Sequence, residues 1–140
     1  MKKKMISLLT VFVMIFAFSM TAYAEPAQDG KVIPDRYNYT NTIYSELSIS
    51  NNTATCNSKV TGDPSMVTKI EITQSLEELL SNGWWYRHQS WSKTFYNWYA
   101  IYITTGTVPH SGTYHVRTVA KVYAGSNYET ISVYSNNVTV

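Results

Sequence analysis

The sequence predicts an all-β fold: an antiparallel β-sandwich of about seven strands, preceded by an export signal. Three observations carry this. Apolar and polar side chains alternate with period two through most of residues 43–140, the pattern of strands buried on one face. Short clusters of Asn, Gly, Ser or Pro break the alternation at close intervals, as turns between strands do. Helical spacing competes in one short stretch, around Leu76, Leu79 and Leu80. Repeated short strands with turn chemistry between them build a sandwich or a barrel.

The first 24 residues stand apart. Lys2, Lys3 and Lys4 precede an uncharged apolar run over residues 5–20, and Ala22-Tyr23-Ala24 follows. A basic head, an apolar middle and an A-x-A end describe a secretory signal peptide. The run is shorter than the roughly 20 residues that span a bilayer. Cleavage after Ala24 is the expectation, giving a secreted, extracellular product with no integral membrane segment. The whole chain has 11 Lys+Arg and 9 Asp+Glu. Without the three signal lysines the balance becomes 8 against 9, a formal −1. No basic patch remains to meet a phosphate backbone, so nucleic acid is not an expected partner.

Charged residues make up 14% of the chain, against roughly 25% in ordinary domains. Tyr, Thr, Ser and Asn replace them, which suits strands with hydroxyl-rich outer faces. Cys56 is the one cysteine, so no disulfide can form within the chain. Its mid-strand position predicts a small buried hydrophobe; whether it is free or pairs between chains stays open.

Residues 25–42 hold two prolines, a glycine and little periodic apolar content, and are expected to form a flexible leader. The domain then runs over residues 43–140. Ile43, Ser45, Leu47 and Ile49 alternate with polar neighbours as strand one, and Asn51-Asn52 turns the chain. Ala54, Cys56, Ser58 and Val60 mark strand two, and a Gly-Asp-Pro loop follows. Ile70, Ile72 and Leu76 predict a strand over residues 67–77, turning at Ser81-Asn82-Gly83. A return strand covers residues 84–95, and another residues 98–104, with Tyr99, Ile101 and Ile103 on one face and Trp98, Ala100 and Tyr102 on the other. Tyr114, Val116, Thr118, Ala120 and Val122 share the inward parity of the next strand. A Gly-Ser-Asn connection leads into the last, with Ile131 and Val133 inward.

Ser111-Gly112-Thr113-Tyr114-x-Val116 resembles the start of the sixth strand of immunoglobulin domains, where a corner tyrosine stands two residues before the second cysteine of the inter-sheet bridge. The resemblance implies an immunoglobulin-like sandwich. It makes Tyr114 the corner and puts Val116 at the second cysteine position, with Cys56 at the first. The motifs at residues 43–50, 54–58, 68–76, 90–95, 112–119 and 129–135 together resemble a family of small secreted proteins of Gram-positive bacteria, of unknown function. That resemblance implies location and fold, and no activity.

No catalytic constellation stands out. No Gly-x-Ser-x-Gly elbow is present, and Glu71, Glu77 and Glu78 are read as solvated surface acids rather than a glycosidase pair. His88, His110 and His115 lack the tight spacing of a zinc site, so neither a metal nor another cofactor is expected. The aromatic stretch is the sharpest functional candidate, because all four tryptophans fall within residues 84–98. With Trp85, Trp91 and Phe95 structural and facing the core, Trp84, Tyr86, Trp98 and Tyr102 are left outward as candidate binding residues. Exposed rings stack on sugars or anchor a protein partner. The expectation is a non-enzymatic binding module for a cell-wall glycan or an extracellular protein. The alternative is a structural or effector protein that self-associates through edge strands.

Overall fold

A computed structural model describes residues 37–140. The signal peptide and residues 25–36 of the leader lie outside them. Eight strands are formed: β1 (Thr40–Ser50), β2 (Thr53–Gly62), β3 (Lys69–Leu79), β4 (Trp85–Phe95), β5 (Tyr99–Thr107), β6 (Thr113–Ala124), β7 (Asn127–Tyr134) and the short β8 (Val138–Thr139). One sheet runs β1-β2-β5; the other runs β4-β3-β6-β7, with β8 added beside β6. Every pairing is antiparallel. This is an immunoglobulin-like sandwich in which the fourth strand joins the third, rather than the first sheet as in constant-type domains.

The turns follow from residue type. Asn51 and Asn52 both adopt positive φ, 50° and 59°, which a two-residue I′ hairpin requires and Asn tolerates. Gly125 takes φ 63° as the first residue of the β6–β7 turn. β1 starts three residues before the predicted position, because its first turn is tied down. Glu129 of β7 accepts the backbone N–H of Asn38 and Tyr39, and the Thr40 hydroxyl at 2.7 Å. The last residues of the expected leader are therefore part of the sandwich.

Two apolar clusters fill the space between the sheets. Ile43, Val60, Ile70, Ile72, Ala120, Val122, Ile131 and Val133 form most of one. Leu47, Ala54, Cys56, Leu76, Val108, Tyr114 and Val116 form the other. Each fully buried Val, Leu or Ile contributes about 1.5–3 kcal/mol. A belt of polar side chains separates the clusters. On β1 it is Ser45, between Ile43 and Leu47; on β2 Ser58, on β3 Gln74 and on β6 Thr118 hold the equivalent places. Thr118 Oγ1 lies 2.8 Å from Ser45 Oγ and 2.7 Å from Ser58 Oγ. Gln74 Nε2 donates to Ser58 Oγ at 2.7 Å and to the Tyr102 carbonyl at 3.0 Å, and Thr104 Oγ1 donates to Gln74 Oε1 at 2.7 Å. The buried polar atoms thus satisfy one another, as burial demands.

Cys56, Tyr114 and Val116 are fully buried in the second cluster. Tyr114 Oη donates to the His110 carbonyl, four residues upstream, at 2.9 Å, as a corner tyrosine does.

Two faces differ from the sequence expectation. Opposite residues of a pair share a face, and Val60 and Ser58 of β2 oppose Ala100 and Tyr102. Ala100 and Tyr102 therefore point inward, and Tyr99, Ile101 and Ile103 point out. Along β4, Phe95 and Trp91 oppose the inward Ile70 and Gln74, but a bulge at His88 shifts the register between Leu76 and Glu77. The extra residue reverses the parity. Trp85 consequently sits on the outer face of its sheet, not in the core.

Candidate functional site

The end of β3 carries two adjacent glutamates, and the pleat sends them to opposite faces. Both are buried rather than solvated, Glu78 being 7% exposed. Each meets histidine.

On the outer face, Glu77 Oε2 lies 3.0 Å from His115 Nε2, and Arg87 Nε stands 3.7 Å from Glu77 Oε1. Trp85 stacks on His115 with ring centroids 3.5 Å apart, and Tyr134 flanks the same imidazole at 4.9 Å. Trp85 thus lies over the imidazole that contacts Glu77.

On the inner face, at the end of the sandwich, Glu78 Oε2 lies 2.6 Å from His88 Nε2. Its other oxygen lies 3.4 Å from His110 Nδ1. One ligand atom from each of the three residues falls within 4.8 Å of the others. His88 is the bulge residue of β4, and His110 belongs to the β5–β6 loop. Tyr114 opposes Glu78 on β6; burial first, and the Glu78 charge second, push its phenol above the ordinary value. Gly112 makes the approach possible, since a Cβ there would stand 2.8 Å from Glu78 Oε1. The sequence reading did not bring Glu78, His88 and His110 together. They are far apart in the chain and meet only through the β3–β4 register and the Tyr114 corner.

The predicted binding aromatics do not form one surface. Trp84 is 73% exposed and Tyr86 is exposed beside it. Both lie at the end where β4 begins, and Trp98 is exposed at the other, about 30 Å along the strand at roughly 3.3 Å per residue. Tyr102 is not outward: it packs edge-on against Phe95 at 6.0 Å beside the first cluster. Trp91 packs against the second cluster, as a structural residue would.

The exposed apolar residues that do line up are those of β5. Ile101 is 51% and Ile103 59% exposed, with Tyr99 and Trp98 beside them. β5 is the edge of its sheet. Gly62 N donates to Trp98 O, and Val108 N to Asn52 O, at 2.7 and 2.8 Å. The antiparallel ladder alternates, so the even-numbered residues between them bond β2. Among the described residues no strand pairs the other side of β5, and the N–H and C=O groups of Tyr99, Ile101, Ile103 and Thr105 face that side. Residues 98–107 contain no charge and no proline, the two devices that usually guard an edge strand. At Gly106 β5 approaches β4 closely, since any side chain there would meet Gln89 and the Trp91 ring.

No family model, curated protein or solved structure matches the chain.

Proposed function

We propose that this protein is a secreted, non-enzymatic binding module that takes an extended segment of an extracellular polypeptide as an added strand along β5. The main-chain groups of Tyr99, Ile101 and Ile103, unpaired among the described residues, on an uncharged edge whose side chains face water, carry this reading. Strand addition draws affinity from main-chain hydrogen bonds and specificity from alternate side chains, and β5 offers both. Export rests on the basic, apolar and A-x-A pattern of residues 2–24. A glycan site is less favoured, because flat rings meant to stack on sugar would sit together, and Trp84 and Trp98 lie at opposite ends.

The same edge supports a second reading, pairing of β5 with β5 of another copy, since an uncharged strand complements itself. Amide hydrogen exchange separates the cases. In dilute protein the amides of Tyr99, Ile101 and Ile103 exchange fast. Rising protein concentration protects them if copies pair. An extracellular partner protects them at low concentration, and Ile103→Lys removes that protection. Chitin, cellulose and peptidoglycan leave them unchanged. Edge amides that stay fast with every partner, while Trp84 or Trp98 fluorescence shifts with a glycan, would overturn the proposal.

A further inference from the structure

We propose that Glu78, His88 and His110 form a binding site for a zinc ion, independent of the β5 edge and of any partner held there. The donor set is two imidazoles and one carboxylate, a combination that suits zinc and leaves a fourth position for water or an external donor. The ligand atoms already lie within 4.8 Å of one another. In a tetrahedral site with ligand distances of about 2.0–2.1 Å, donor atoms stand about 3.4 Å apart. The His88–Glu78 contact at 2.6 Å must open by less than an ångström, within reach of small side-chain rotations. His110 closes from the solvent side: its side chain is 57% exposed, and its Nδ1, 3.1 Å from the Ser111 carbonyl, must leave that oxygen as the ring turns toward the ion.

The electrostatics favour a cation. Among the described residues, the ion-pair partners of Glu78 are His88 and His110, with no Lys or Arg. A buried carboxylate needs positive charge or several donors, and a zinc ion beside Glu78 would supply that charge. Arg87, the nearest arginine in sequence, pairs with Glu77 on the other face. The cluster is also held in place. β3 and β4 fix Glu78 and His88, Tyr86 packs edge-on against the His88 ring at 4.9 Å, and Tyr114 Oη holds the His110 carbonyl. Zinc would tie the β5–β6 loop to the β3–β4 hairpin.

The test is zinc titration of untagged, EDTA-stripped protein, followed by calorimetry and by thermal melting. We expect uptake of one ion per chain and a raised melting temperature. Cobalt in place of zinc is expected to give the intense visible bands of a tetrahedral site. His110→Ala lowers the EDTA-state melting temperature only slightly, because the ring is more than half exposed, yet weakens zinc binding by about tenfold or more. Glu78→Gln weakens it further. Absence of uptake by the wild-type chain would overturn the proposal. So would uptake that His110→Ala leaves unchanged, which would place the ion elsewhere. A Glu78–His88 hydrogen bond serving structure alone predicts the first of these results.

Discussion

Glu78 Oε2 and His88 Nε2 stand 2.6 Å apart because β4 carries one residue more than β3 at that point. Leu76 opposes Gln89 and Glu77 opposes Arg87, leaving His88 unpaired in the ladder. The bulge turns His88 toward the end of the sandwich, where Glu78 points. Without it, the strict alternation that puts Trp91 and Gln89 inward would also put Arg87 inward and His88 out to solvent.

His88→Ala is therefore expected to destabilise the fold by about 1–3 kcal/mol, the cost of leaving a buried acceptor without its donor. His110→Ala should cost far less, since its ring is mostly in water. Urea denaturation of both variants in EDTA measures the difference. Equal midpoints would show that Glu78 does not depend on His88.

Gln74 reaches across the core to the other sheet. Gln74→Ala strands the Thr104 hydroxyl, leaves Ser58 with Thr118 as its partner and opens a cavity, and about 2–4 kcal/mol of stability should go with it. Ser45→Ala removes the bond to Thr118 and a long 3.5 Å one to the Val116 carbonyl, at the end of the belt, and should cost about 1 kcal/mol. Denaturant midpoints at constant m-value test this order, which would be reversed if the belt were held mainly by Ser45.

Burial pushes the Cys56 thiol up from 9.0 to about 11, against a smaller opposing effect of Thr104. In the folded chain the thiol is expected to resist disulfide-exchange reagents at neutral and mildly alkaline pH, and to react at once when urea unfolds the protein. A thiol whose folded value is raised adds stability that is whole below pH 9 and is lost as pH rises toward 11. A Cys56→Ser variant should lack that part of the alkaline decline. Rapid labelling of the native chain, or a covalent dimer through Cys56, would contradict its placement in the core.

β1, β2 and β6 could be read from sequence face by face, because Ile43, Leu47, Cys56, Val60, Val116 and Val122 are plainly more apolar than their neighbours. Even the belt was visible as Ser45, Ser58 and Thr118 on the inward parity, though what joined them was not. β5 was read inside out for a physical reason. Tyr99, Ile101 and Ile103 are more apolar than Ala100, Tyr102 and Thr104, and periodicity fixes which residues share a face, not which face is buried. Register with β2 made that choice, and the slots opposite Val60 and Ser58 took Ala100 and Tyr102. Trp85 was misplaced by the His88 bulge, which leaves no mark in local composition. The Glu78 cluster was hidden for a related reason: an acid at a strand end reads as solvated until the chain that covers it is placed.

Oily layers can slide over one another, because contact between methyl groups has no preferred offset. Directed hydroxyl and amide bonds have one. By joining β3 to β2 and β5, and β6 to β1 and β2, the chain of bonds through Ser45, Thr118, Ser58, Gln74 and Thr104 indexes one sheet against the other like a key in a slot. A slip of one step would break every bond in it. The loop that carries His110 hangs from β5 in one sheet, and Glu78 stands on β3 in the other. Tyr114, opposite Glu78 on β6, holds the His110 carbonyl, so that separation of the two sheets is bridged at the loop itself.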